Sequence, residues 1–244
     1  EQKRYVYPFD EAYGLGKEIL GGKGAGLAEM THIGVPVPEG FTISTEACTL
    51  YYQSGKVIPE FVQKQIFDAI ERVEKQTGKT FGGAHNPLLV SVRSGARVSM
   101  PGMMDTILNL GLNETTAAAL AKETGNERFA MDSYRRFILM FTNIAKGHPR
   151  DAMDKMLEKI KEENGYKLDT EVTVDQLRDL VKRYKEYYKN TFGEEFPTDP
   201  KVQLMEAVAA VFRSWDNPRL NINVLNFSIQ KKGVPELNFH SSTF

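Results

Sequence analysis

Cysteine is almost missing. Cys48 is the only one in 244 residues, which excludes an internal disulfide and a cysteine-based zinc cluster and fits a reducing compartment. Histidine is nearly as scarce: His32, His85, His148 and His240 stand far apart, with no metal-ligand spacing. An excess of one charge is absent too, since 31 basic and 32 acidic side chains leave a net charge of −1. No field of one sign would gather nucleic acid or an anionic membrane, although a local basic site stays open. No run approaches about eighteen apolar residues, and the opening EQKRYVYPFDEA holds no apolar signal core. Neither a membrane span nor a signal peptide is expected, and the chain reads as cytoplasmic. No Ser/His/Asp or Cys/His arrangement suggests nucleophilic catalysis, and no dense carboxylate pair lies near a glycine loop to hold magnesium.

What is present is a globular composition, 41% hydrophobic and 26% charged, over a length of between one and two domains at about 150 residues each. Alternation through Tyr5, Tyr7 and Phe9 predicts a short opening strand. Gly21-Gly22-Lys23-Gly24-Ala25-Gly26 then reads as a glycine-rich turn feeding a short helix that stops at Gly34. Phe41 and Ile43 predict strand, the segment near Thr45 a helix, and Phe61, Ile66, Ile70 and Val73 a helix ending near Gly78. Leu88 to Arg93 predicts a buried strand with Arg93 emerging at its carboxyl end; after a Gly- and Pro-punctuated loop, Thr106 to Leu110 alternates again, which suggests a hairpin with a long tip.

From about residue 113 the pattern turns helical for roughly a hundred residues. Asn113 is a plausible N-cap with Gly125 beyond the end, Thr173 and Gln176 make a capping-box pattern, and Asp199-Pro200 opens the last helix. Residues 220–244 differ from the rest: Leu220 to Ile229 is asparagine-rich, with an alternation that slips phase at Val224-Leu225.

Three groups of residues could carry chemistry. The turn at Gly21, Gly22 and Gly24 lets backbone N–H groups approach an anion, with Lys23 adding a mobile charge, so it is either a phosphate cradle or an ordinary strand-to-helix turn. It is not a Walker A loop, because Gly24 follows Lys23 where Ser or Thr is needed. Arg93 and Arg97 flank a small-residue loop and offer planar forks for phosphate or for a surface carboxylate. Met100, Met103 and Met104 around Pro101-Gly102 could form a lid or simply pack. On the helical stretch, Asp132 is spaced to pair with Arg135 or Arg136.

These residues resemble the pyruvate, phosphate dikinases. The matching stretches are GGKGAGLAEM (21–30), GVPVPEGFTISTEAC (34–48), LLVSVRSGARVSMPGMMDTILNLGL (88–112), RFAMDSYRRFI (128–138) and FRSWDNPR (212–219). The loop SGARVSMPGMMDTILNLGL separates this family from the phosphoenolpyruvate synthases, which remain one alternative. The resemblance implies an enzyme that converts ATP, phosphate and pyruvate to AMP, pyrophosphate and phosphoenolpyruvate with magnesium. Its parts would be a nucleotide-binding domain related to ATP-grasp folds, a swivelling domain bearing a phosphorylated histidine, and a barrel that binds pyruvate; this chain matches only the first.

The implied fold is α+β, an ATP-grasp-like N-terminal portion with a mixed small sheet over residues 1–112 and an inserted helical subdomain over 113–219, leaving the grasp incomplete. Carried over, Lys23 and Arg93 contact the ATP phosphates, Arg135 is a further polar contact, and Gly95, Ala96, Ser99, Met100, Pro101, Gly102, Met103 and Asp105 form the loop over them. Residues 220–244 depart from the family pattern, and neither its acidic metal ligands nor its carrier histidine is present. The chain then reads as a truncated frame or a fragment whose tail is disordered or pairs as an added strand. ATP, with Mg2+, is the implied ligand; the rest of the enzyme or a second copy is the implied partner. A regulatory or interaction module on the same fold is the alternative of a different class.

Overall fold

A computed structural model describes residues 3–96 and 106–226. Along the chain run β1 (Val6–Pro8), α1 (Lys17–His32), β2 (Gly40–Ile43), α2 (Thr45–Gln53), α3 (Glu60–Thr77), β3 (Thr80–Phe81), β4 (Pro87–Leu88), β5 (Val90–Ser94) and β6 (Thr106–Leu110). Then follow α4 (Glu114–Thr124), α5 (Glu127–Ala145), α6 (Asp151–Asn164), a single 3-10 turn, α7 (Val174–Phe192), α8 (Pro200–Ser214) and β7 (Ile222–Asn226). The architecture is mixed α and β. It divides into two compact units, one built from the residues up to Lys79, from Leu89 to Leu108 and from Val211 onward, the other from Thr80–Leu88 and Asn109–Ala210.

The first unit holds a five-stranded sheet in the order β1-β2-β7-β5-β6. β7 is therefore central, antiparallel to β2 on one side and to β5 on the other. All five of its residues are buried, and a strand covered on both faces has no solvent side to mark with polar residues. That is why its alternation is blurred in sequence. Phe41, Ile43, Ile222, Val224, Val90 and Val92 share one face by register. α3, whose Val62, Ile66, Ala69, Ile70 and Val73 are buried, packs on β1 and β2 and stops at a left-handed Gly78. α1 lies on the opposite face, where Leu27 joins Phe9 and Leu225 in one cluster.

β5 and β6, the two arms of the predicted hairpin, are neighbours in the sheet, and the tip between them lies outside the described residues. The strand predicted from Leu88 to Arg93 is instead two, broken at Leu89: β4 pairs in parallel with β3 in a separate two-stranded sheet, and β5 enters the large one. The chain passes from one unit to the other at that break.

The second unit is helical, with α5 packed on α4 and α7. Its ends are sealed as the sequence predicts. Asn113 and Thr116 form a capping box at the start of α4, Thr173 and Gln176 another at α7, and left-handed Gly125 and Gly193 end those helices. Phe137, Phe141, Tyr188, Phe192 and Phe196 make a chain of edge and tilted ring contacts, with centroids 4.9 to 6.0 Å apart. Gln203, fully buried, spends its amide on three backbone groups: it accepts from Gly111 N–H and donates to the carbonyls of Leu112 and Pro197.

Candidate functional site

The glycine-rich segment is a break inside α1 rather than a turn before it. Lys17 to Leu20 make one helical turn, anchored where Thr45 Oγ1 of α2 donates to the Glu18 carbonyl at 2.7 Å. Gly21 then adopts φ 71° and ψ 171°, a region open in practice to glycine alone. The helix restarts at Gly22, so Lys23 and Gly24 fall in the first turn after the break. A restarting helix presents backbone N–H groups and the positive end of its dipole there. Lys23 is half-buried, and no hydrogen bond or ion pair engages it among the described residues.

Below this turn runs a polar row across the sheet. The register sets Thr42 of β2, Asn223 of β7 and Arg93 of β5 side by side on one face. Thr42 Oγ1 donates to Asn223 Oδ1 at 2.7 Å in the buried interior. Gly24 sits directly over the pair, since a Cβ there would stand 3.0 Å from Thr42 Oγ1 and 3.3 Å from Asn223 Oδ1. The face that α1 covers is thus the face that carries Arg93, which is half-buried and next to last in its strand.

Asn221 joins the two glycine segments. Its carbonyl accepts the Gly95 N–H at 2.8 Å. Its side-chain amide fills the space that a side chain on either glycine would need: Oδ1 lies 2.2 Å from the Cβ position of Gly21 and 2.1 Å from that of Gly95. Lys23 follows Gly21 by two residues, and Arg93 precedes Gly95 by two. One unit of the structure therefore gathers two cations, two glycine turns and a polar sheet row, as phosphate recognition requires.

Comparison with known proteins identifies the family. The family model described as "Pyruvate phosphate dikinase, AMP/ATP-binding domain" matches residues 17–64 and 54–223. The chain belongs to the pyruvate phosphate dikinase family. A pyruvate, phosphate dikinase of Clostridium symbiosum is 56% identical over 217 residues, covering 88% of this chain and 25% of that protein. Its chloroplastic namesake in Flaveria trinervia is 52% identical over 223 residues, 90% of this chain and 23% of that protein. The one from Entamoeba histolytica is 52% identical over 214 residues, 88% and 24% respectively. The chain spans about a quarter of the length of the curated relatives it matches, and corresponds to their nucleotide-binding domain.

Two further parts of the expected site remain, Arg135 and the loop that starts at Gly95. Arg135 belongs to the helical unit, is 4% exposed, and gives both Nε and Nη2 to Asp132 Oδ1 at 3.0 and 2.7 Å. Asp132 also takes Arg136 at 3.1 Å, so both spacings read from the sequence are used at once. Gly95 and Ala96 are in place at the end of β5, whereas Ser99, Met100, Pro101, Gly102, Met103 and Asp105 lie outside the described residues, as does Arg97.

Cys48 is fully buried, and burial pushes its thiol up to about 11, so no thiolate nucleophile is on hand. Among the described residues no group of three or more His, Cys, Asp or Glu side chains gathers as a metal site. That donor set offers no cage for magnesium. No described helix is long and apolar enough to cross a membrane. Thr42, Asn221 and Asn223 carry no motif of their own in the sequence; the one signal for the last two is the asparagine spacing of two in the segment least like the rest.

Proposed function

We propose that this chain binds ATP by its phosphates in an ATP-grasp-like manner, as the nucleotide-binding part of a pyruvate, phosphate dikinase. Lys23 and the amides of the restarted helix take one part of the polyphosphate, Arg93 takes another, and the loop that begins at Gly95 and Ala96 covers them. What supports this reading most is the common face of the sheet: α1 with Lys23 rests on the row that ends in Arg93. Two placed cations matter, since a unit charge pair at 4 Å interacts with about 4 kcal/mol at an effective dielectric near 20.

Magnesium would enter as the ion that ATP brings. The full conversion of ATP, phosphate and pyruvate to AMP, pyrophosphate and phosphoenolpyruvate belongs to the longer protein. Arg135, held by Asp132 through Nε and Nη2, keeps donors on its guanidinium for a further polar contact to the nucleotide.

Calorimetric titration of Mg-ATP into the chain tests the reading. A charge-assisted hydrogen bond contributes about 1.5 to 3 kcal/mol, so Lys23→Ala and Arg93→Ala should each weaken binding by roughly tenfold or more, with a thermal melt of each variant confirming that it is folded at the titration temperature. Unchanged affinity in both variants would sink the assignment. Flat titrations of the parent would favour an interaction module on the same fold.

A further inference from the structure

Asn221 is buried, at 4% exposure, yet its Nδ2 has no hydrogen-bond partner among the described residues. A buried donor without an acceptor is costly, and an apolar side chain of similar shape would fill the same space without that cost. Packing alone therefore does not account for an asparagine here. Its position is specific: the amide is wedged between Gly21 and Gly95, while its backbone carbonyl holds Gly95 N–H. Because neither glycine has a side chain, the distance between the two turns is set by the amide itself. Lys23 and Arg93 each stand two residues from those glycines, so the amide lies between the two segments that carry the cations. Asn223, two residues on, continues the same constraint as the cross-strand neighbour of Arg93.

We infer that Asn221 is a positioning residue for the phosphate site, the spacer that sets the separation of Lys23 and Arg93 to span a polyphosphate, and so favours a nucleoside triphosphate over a monophosphate. The inference rests on the reading proposed above. A polyphosphate needs both cations at a fixed span, and a monophosphate is satisfied by one. Loss of the spacer should thus cost the triphosphate more than the monophosphate, a selectivity that a merely structural residue would not alter.

The experiment is calorimetric titration of Mg-ATP and of AMP into the chain and its Asn221→Ala variant, with thermal melts of both. About a tenfold weakening for ATP is expected, with AMP changed by less than about twofold. Equal weakening for both nucleotides, or no change in either, would overturn the inference. If Asn221→Ala does not fold, Asn221→Ser shortens the spacer without adding charge; a loss for ATP larger than for AMP supports the spacer, and equal losses overturn it. A parent chain that binds no ATP brings down the underlying reading and this one with it. A parent that binds ATP and loses it in Lys23→Ala and Arg93→Ala, but keeps its ATP preference in Asn221→Ala, brings down this one only.

Discussion

The helical unit and the sheet unit are held together by opposite kinds of interior. In the helical unit the centre is aromatic, with Phe141 in contact with Phe137 at 5.7 Å and Phe196 at 5.4 Å between centroids, and its buried Gln203 is satisfied by three backbone groups. In the sheet unit the middle strands bury Thr42, Ser91, Ser94, Asn221 and Asn223, and the Asn221 amide is left short of a partner among the described residues. The first interior maximises apolar contact. The second keeps polar groups on the sheet face beneath the proposed ligand. Departures from an interior that only packs are expected where a fold carries ligand chemistry.

The largest effect should come from the aromatic interior. Phe141→Ala removes a fully buried ring, and such truncations cost about 3 to 5 kcal/mol because the cavity collapses only in part. Urea denaturation should report a loss of that size with nucleotide affinity little changed. A loss below about 1 kcal/mol would mean that this unit does not depend on its rings, and the contrast between the interiors would fail.

A smaller effect is expected in the sheet unit, and it has a distinctive form. In Gly95→Ala the new methyl meets the Asn221 amide, whose three outer atoms lie 2.1 to 2.3 Å from the Cβ position, and overpacking of this kind costs about 1 to 3 kcal/mol. Asn221→Ala removes the obstacle. The double variant should therefore be more stable than the sum of the two single losses predicts, a coupling of about 0.5 to 3 kcal/mol in a double-mutant cycle. Strict additivity in the melts would separate the two residues and leave the polar interior without its central contact.

The two units also differ in how much of each could be read from residues alone. Nearly all of the helical unit was legible: Asn113, Gly125, Thr173 and Pro200 mark ends that the structure reproduces, because caps and amphipathic stripes are local signals within a turn or two. In the sheet unit Lys23, Arg93 and the glycine segments were legible as types of chemistry. Their common face was not, because it depends on β7, a strand that arrives some 130 residues after β5 and is buried on both sides. Nothing near Asn221 says that it will stand between Gly21 and Gly95; only pairing across the sheet does so. The 3.6-residue period names its neighbours, and the strand does not name its partner.

The smallest effect isolates that local legibility. Asn113 caps α4 by accepting the Thr116 N–H on Oδ1 at 2.8 Å, while its Nδ2 donates to the Thr198 carbonyl at 2.8 Å and its own N–H is taken by Thr116 Oγ1 at 2.9 Å. Asn113→Ala should cost about 1 kcal/mol, within the 0.5 to 2 usual for a lost cap. Asn113→Ser, which restores an acceptor oxygen but cannot reach Thr198 in the same way, should recover most of it. The cap and its partner Thr116 are adjacent in sequence, so the loss should appear as a uniform fall in unfolding free energy with ATP affinity unchanged. If Ser recovers nothing, the contact to Thr198, 85 residues away, is the one that matters, and this helix end too depends on tertiary pairing rather than on its own sequence.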